Sequence, residues 1–243
     1  MTHQSIYESY TTSYTSGQPL RVLSTLQSDI KSFKYFFTDS LPSEKEARIL
    51  EVGCGYGKNI VAIKSLGYTD VTGVDISAEQ VNIAHHHLNL HDCVYLSNVH
   101  VFFANKPGRY DLIILIDILE HLSLDDLLLT LSQCYASLNH GGRILIQVPN
   151  GLAPLNPFVW GDLTHLRAFT LSSLRQLLSF TGNFKSLRVI NLDIPVNSVH
   201  SLVRLIISRF LITPFLNIFM KVSYGRASGG VYTPNIAIIA AKA

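Results

Sequence analysis

"ILEVGCGYGKN", residues 49–59, decides the fold. Its first four residues form an apolar run carrying one acid, Glu51, with the length of a short buried strand. Three glycines follow at alternate positions, Gly53, Gly55 and Gly57. Glycine lets a backbone turn tightly and approach a ligand closely. Lys58 and Asn59 then open a helical pattern. Strand, glycine turn and helix start in this order begin a β-α-β unit. The spacing is GxGxG, so the GxGxxG dinucleotide fingerprint is not met, and the GK[ST] ending of a P-loop is absent.

Working outward, "DVTGVD" (70–75), "DLIILI" (111–116) and "GRILIQVP" (142–149) are further strand candidates. They are nearly continuous in Ile, Leu and Val, which suits parallel strands covered on both faces. Helices are expected at 58–66, 77–90 and 123–138. Ser77 and Ser123 stand as N-caps, with Gln80 and Asp126 three residues on. This alternation reads as a doubly wound α/β sheet. In the tail, "FTLSSLRQLLSFTG" (169–182) predicts an amphipathic helix, and 186–193 and 235–243 predict two strands. Between those strands lies "NSVHSLVRLIISRFLITPFLNIFMKVSYG" (197–225), apolar around most of a helical circumference. Ser201, Arg204 and Ser208 form its narrow polar stripe, and Pro214 is expected to break or kink it. The uncharged stretch from Arg209 to Lys221 is too short to span a bilayer. Three readings stand: helices packed on the domain or in a homodimer, a peripheral membrane contact through 199–222, or a lid.

The chain is 47% apolar and 15% charged, which argues against disorder. A net charge of +2 is too weak for a nucleic-acid partner. Residues 1–243 read as a single domain: a helical cap to 40, a core over 41–150, then a substrate-side loop, the apolar insertion and the last strands. Cys54, Cys93 and Cys134 are widely spaced, as in a reduced intracellular protein. The polar N-terminus has no apolar h-region, so a cytoplasmic protein is expected, membrane-peripheral if 199–222 touches lipid.

Asp75 ends the second strand about twenty residues beyond the glycines, where an acid can accept hydrogen bonds from ribose hydroxyls. "YDLIILIDILEHL" (110–122) then runs a buried strand into acids and His121. With E-x-G-x-G-x-G, an acid ending strand two and D-x-L-E-H after strand four, residues 48–150 resemble the class I S-adenosylmethionine-dependent methyltransferases. The resemblance implies a Rossmann-like, seven-stranded, mostly parallel sheet with helices on both faces, and S-adenosyl-L-methionine as cofactor. It implies that Glu51, Gly53, Gly55 and Gly57 line the amino-acid end of the cofactor. Asp75 would take the ribose, Ile76 the adenine face and Asp117 the methionine part. Asn98, in "LSNVHVFF", matches the position where many relatives bind the adenine amino group with Asp; its side-chain oxygen can accept that bond. Tyr7, Tyr10 and Tyr14 share a helix face, and relatives close such a helix over the cofactor, which makes Tyr7 and Tyr14 candidate contacts.

Methyl transfer from a sulfonium needs mainly alignment. A hydroxyl acceptor is a poor nucleophile and needs a base or a metal. "WGDLTHLRAFT" (160–170) falls in a long loop after the last parallel strand, where an acceptor would enter. His121, Asp162 and His165 are the catalytic candidates. "GDLTHLRAFTLSSLRQLL" resembles a segment of methyltransferases of glycan and O-antigen synthesis, which implies O-methylation of a sugar or sugar-phosphate. His165 reads as base or acceptor contact, as a loop-fixing hydrogen-bond donor, or as a metal ligand. No further carboxylates are evident near it in sequence, so no metal site is expected. Methylation of a small metabolite at O, N or C is the alternative, then a non-catalytic binding protein.

Overall fold

The computed structural model describes Ile6 and residues 10–106, 108–196, 198–225 and 230–243. Seven strands form one sheet: β1 (Ile49–Val52), β2 (Val71–Asp75), β3 (Val94–Leu96), β4 (Tyr110–Ile116), β5 (Leu138–Pro149), β6 (Phe184–Ile190) and β7 (Asn235–Lys242). Their order is β3-β2-β1-β4-β5-β7-β6. The first five pair in parallel, and β7 runs antiparallel between β5 and β6. This is the mostly parallel, seven-stranded sheet expected. The strand order reverses at β1 and β4, the switch point where open α/β sheets take ligands beyond their carboxyl ends.

Apolar runs on both strand faces make the core two-sided. Leu112 and Ile114 of β4 pack with Ile49, Ile60, Phe33 and Phe37. Ile113 and Leu115 point the other way, onto Leu50, Val52, Leu127 and Leu174. Each fully buried Leu or Ile contributes about 1.5–3 kcal/mol. The expected caps form: Ser77 accepts from Gln80 N, Ser123 from Asp126 N, and Thr170 with Ser173 makes a reciprocal box. Strand β3 has no counterpart in the sequence reading, because three residues carry no readable period.

Three expectations for the apolar segment are corrected. Pro214 does not break it: Val199–Tyr224 is one helix of 26 residues. A π turn at Ser208–Ile212 immediately precedes the proline. Proline lacks the donor for Phe210 O and crowds that carbonyl, and a widened turn absorbs both defects. The helix also makes little contact with the domain, chiefly at buried Ser201 and where Tyr232 donates to Asn217 Oδ1. None of its most apolar 18-residue window is buried, and Phe210, Phe215, Phe219 and Val222 are exposed. At 1.5 Å per residue it is roughly 39 Å long. Both flanking strands, β6 and β7, belong to the same sheet. Ten residues, 225–234, lead from the helix back to β7. By length and composition the helix is apolar enough to cross a membrane, which corrects the expectation that its uncharged stretch is too short.

Candidate active site

The glycine turn begins where β1 ends. Gly53 N donates to Val74 O at 2.8 Å, which folds the turn onto β2. Gly53, Gly55 and Gly57 all have positive φ. A Cβ on Gly53 would lie 2.7 Å from Ile118 Cδ1, and one on Gly55 would lie 2.5 Å from Gln80 Oε1. Both glycines line a cleft of about 670 Å³ at the carboxyl edge of β1, β2 and β4. Gly57 does not line it. It starts the helix Lys58–Lys64 behind the wall, and a Cβ there would lie 2.5 Å from Leu90 Cδ1. Its expected place beside the cofactor is thus corrected to a role in closing the turn.

Glu51 is buried at the cleft wall. Asn59 Nδ2 donates to its Oε1 at 2.6 Å. Its Oε2 has no hydrogen-bond partner among the described residues. Burial pushes its carboxyl up to about 8, against the Asn59 hydrogen bond that lowers it. An orphaned, buried carboxyl oxygen on a ligand-sized cleft fits a cationic donor such as an α-ammonium. Asp75 accepts from Gly55 N at 2.7 Å and from Ser77 N at 2.8 Å. It braces the glycine turn against the helix Ala78–Leu88, and its remaining lone pairs would accept from a ribose diol. Burial raises its carboxyl despite these backbone hydrogen bonds. Ile76 is exposed on the same wall, an apolar platform for a flat heterocycle. Asn98 lines the cleft too, but its Oδ1 already caps the next helix through His100 N at 2.8 Å.

Asp117 follows β4 in the left-handed region, with φ 55°. Holding a non-glycine there costs of order 1–3 kcal/mol and marks functional sites. Gln147 of β5 holds it: Asp117 N donates to Gln147 O, and Gln147 Nε2 donates to both carboxylate oxygens at 3.1 and 3.2 Å. Burial raises the Asp117 carboxyl.

Past Asp117 the cleft meets His121, which lines it. Its Nδ1 lies 2.8 Å from Thr164 Oγ1. That hydroxyl donates to Asp162 Oδ1 at 2.6 Å, and Tyr10 donates to Asp162 Oδ2. Burial acts to raise Asp162, but the hydrogen bonds from Thr164 and Tyr10 outweigh it and hold the carboxyl low. Asp162 thus accepts from Tyr10, from Thr164 N and from Thr164 Oγ1, and orients these neighbours. His165 stands behind His121, ring centroids 4.6 Å apart and near perpendicular, and is not on the cleft wall. Its Nδ1 lies 2.9 Å from Val159 O, so it does fix the loop. Glu120 sits beside both rings, with Oε1 4.0 Å from His165 Nε2. Burial, reinforced by the Asp117 charge, raises its carboxyl to about 9.

The sequence reading missed Glu120, although it stands in the quoted D-x-L-E-H, because nothing local says that it is buried. Thr164 was legible only as the short polar residue two positions after Asp162, a turn former. Gln147 and Tyr10 carried no signal beyond their place in a strand and an aromatic stripe. Tyr7 and the Tyr14 side chain lie outside the described residues.

A family model described as "Methyltransferase domain" matches residues 24–183. A ubiquinone biosynthesis O-methyltransferase of Xanthomonas campestris pv. campestris is 32% identical over 108 residues, 43% of this chain and 44% of that protein. The chain thus spans less than half the length of that relative. Among solved structures, an S-adenosylmethionine-dependent methyltransferase of Archaeoglobus fulgidus superposes with a TM-score of 0.63 at 21% identity, covering 88% of this chain and 94% of that one. Magnesium protoporphyrin IX methyltransferase of Synechocystis PCC 6803, solved with S-adenosylmethionine bound, superposes at 0.57 and 13% identity, covering 100% and 98%. The match over most of the chain, the seven-stranded sheet and the glycine-lined cleft agree, and the chain belongs to the methyltransferase-domain family, as an S-adenosylmethionine-dependent methyltransferase domain.

Proposed function

We propose that the chain O-methylates a hydroxyl on an acceptor with an apolar, membrane-resident part. The observation that carries the hydroxyl is the imidazole–carboxylate group of Glu120, His121 and His165, of which His121 lines the cleft. When bound, the cofactor supplies an electrophilic methyl group; the acceptor oxygen bonds to its carbon, and the carbon–sulfur pair leaves with a neutral thioether. Glu51 would hold the ammonium of its amino-acid end, Asp75 the ribose, and Ile76 with Asn98 the base. A hydroxyl proton must be removed or its pKa lowered, and the Glu120–His121–His165 group adjoins that place. The relative named for O-methylation in ubiquinone biosynthesis favours an oxygen acceptor over nitrogen or carbon. The sugar acceptor expected from "GDLTHLRAFT" has no support of that kind.

The apolar part is argued from the exposed helix Val199–Tyr224. No acidic residue occurs from 194 to 243, whereas Arg204, Arg209 and Lys221 lie on the helix itself. An apolar, basic helix exposed on the surface fits an anionic lipid surface, with its long axis in the plane of the headgroups. Incubation with methyl-labelled S-adenosylmethionine and fractionated bacterial extract tests the activity. Label in the organic phase, on oxygen by mass spectrometry, is expected. Label confined to water-soluble sugars would overturn the acceptor, and no transfer to any fraction would overturn the activity.

A further inference from the structure

Glu120 is buried in the fold, 1% exposed, and neither of its carboxylate oxygens has a hydrogen-bond partner among the described residues. A carboxylate left this way is costly unless it is paired or coordinates a metal. Its neighbours have the chemistry for the second option. Val159 O can only accept, so His165 Nδ1 carries the hydrogen and Nε2 the lone pair of the neutral ring. Thr164 Oγ1 spends its hydrogen on Asp162, so it accepts from His121 Nδ1, and the His121 lone pair is again on Nε2. Orientation of a ring by a carbonyl, or through a hydroxyl tied to a carboxylate, is the arrangement that supports metal-ligating histidines. One ligand atom from each of Glu120, His121 and His165 lies within 4.8 Å of the others.

We propose that Glu120, His121 and His165 form a binding site for a first-row divalent cation, held by two imidazole nitrogens and one carboxylate oxygen. This ligand set suits Mn²⁺, Fe²⁺, Co²⁺ or Zn²⁺ better than Ca²⁺, which takes oxygens. The expectation of no metal site from sequence is thereby replaced; the missing carboxylate is Glu120, brought 45 positions back to His165 by the fold. Of the three only His121 lines the cleft, so a cation held by this group would lie beside the acceptor end through that ring. A hydroxyl bound there becomes more acidic and gives its proton to water, while its oxygen bonds to the methyl carbon. That last role rests on the proposed hydroxyl acceptor; cation binding itself does not.

Chelator-treated full-length protein titrated calorimetrically with Zn²⁺, and by electron paramagnetic resonance with Mn²⁺, tests the site. One cation per chain is expected. Glu120→Gln and His165→Ala should each weaken binding by about 100-fold or more, and Thr164→Val by roughly 10–100-fold through the His121 ring alone. S-adenosylhomocysteine affinity, measured on the same samples, should stay within about threefold and serves as the check of folding. Failure of wild-type protein to bind either ion would overturn the proposal, as would binding indifferent to the substitutions, such as at the surface pair His85 and His91, whose rings lie 4.6 Å apart. Should Glu120→Gln and His165→Ala fail to fold, Thr164→Val decides. Cation binding without S-adenosylhomocysteine binding would sink the cofactor reading and leave this one standing; the reverse result would sink only this one.

Discussion

Asp75 makes two demands of one carboxylate, bracing Gly55 N and Ser77 N while facing the cleft. Asp75→Ala should therefore cost about 10–100-fold in S-adenosylhomocysteine affinity, the equivalent of roughly 1.5–3 kcal/mol for a charged hydrogen bond. It should also lower the melting temperature of the unliganded protein. Calorimetry with thermal unfolding reads both, and unchanged affinity removes the ribose role. Gly57→Ala tests the correction made to that glycine. With φ 83° and Leu90 Cδ1 2.5 Å from the new Cβ, it should destabilise by about 1–3 kcal/mol in denaturant melts. Glu51 gives a pH signature. Burial holds its proton to about pH 8 in the folded chain, against an ordinary value of 4.5 when unfolded. The folded state then binds more protons through that window, so stability is fullest below 4.5 and declines as pH rises toward 8, by at most about 1.4 kcal/mol per pH unit from this group. Glu120, Asp75 and Asp117 act in the same direction. Unfolding free energies at pH 5, 6, 7 and 8 without cofactor should fall less steeply in Glu51→Gln; identical slopes would refute a protonated Glu51.

Among the elements, the helix Val199–Tyr224 carries the sharpest prediction. Its aromatic face is exposed at Phe210, Phe215 and Phe219, so replacing all three with Ser should leave the fold intact. Wild-type protein should co-sediment with vesicles containing anionic phospholipid, less so at high salt, and the triple variant should stay in solution. A dimer in light scattering that the same substitutions dissolve, with no vesicle binding, would assign the face to a second copy instead. The sequence carried the apolar circumference and the defect at Pro214, but not that the chain stays helical through it. A proline forecasts a defect in the hydrogen-bond ladder; whether the chain kinks or widens into a π turn depends on what surrounds it, and an unpacked helix is free to widen. The loop 150–169 is the opposite case. Its composition marked it as a site element, yet its geometry comes from Asn150, whose Nδ2 donates to Val231 O and Thr233 O across the chain.

At the scale of the whole molecule, a family with this cleft should be stabilised by its cofactor and not by a dinucleotide. S-adenosylhomocysteine at 100 times its dissociation constant should add about 2.7 kcal/mol to unfolding, and NAD nothing; the reverse in a thermal-shift assay would overturn the assignment. The strands, their parallel order and the glycine turn were legible because each is a local pattern of apolar period and backbone permissiveness: "ILEVGCGYGKN" specifies strand, turn and helix start without help from afar. Asp75 and Asp117 were legible for the same reason, as acids at the ends of apolar runs. The tertiary structure alone decided which polar groups meet. Glu120 meets His165, 45 residues away, only when the loop 150–169 folds back beyond the end of β4. It also decided that an apolar helix of 26 residues stands exposed beside the sheet that both its flanking strands join. Pattern follows from neighbours along the chain, whereas burial, pairing and topology are properties of neighbours in space.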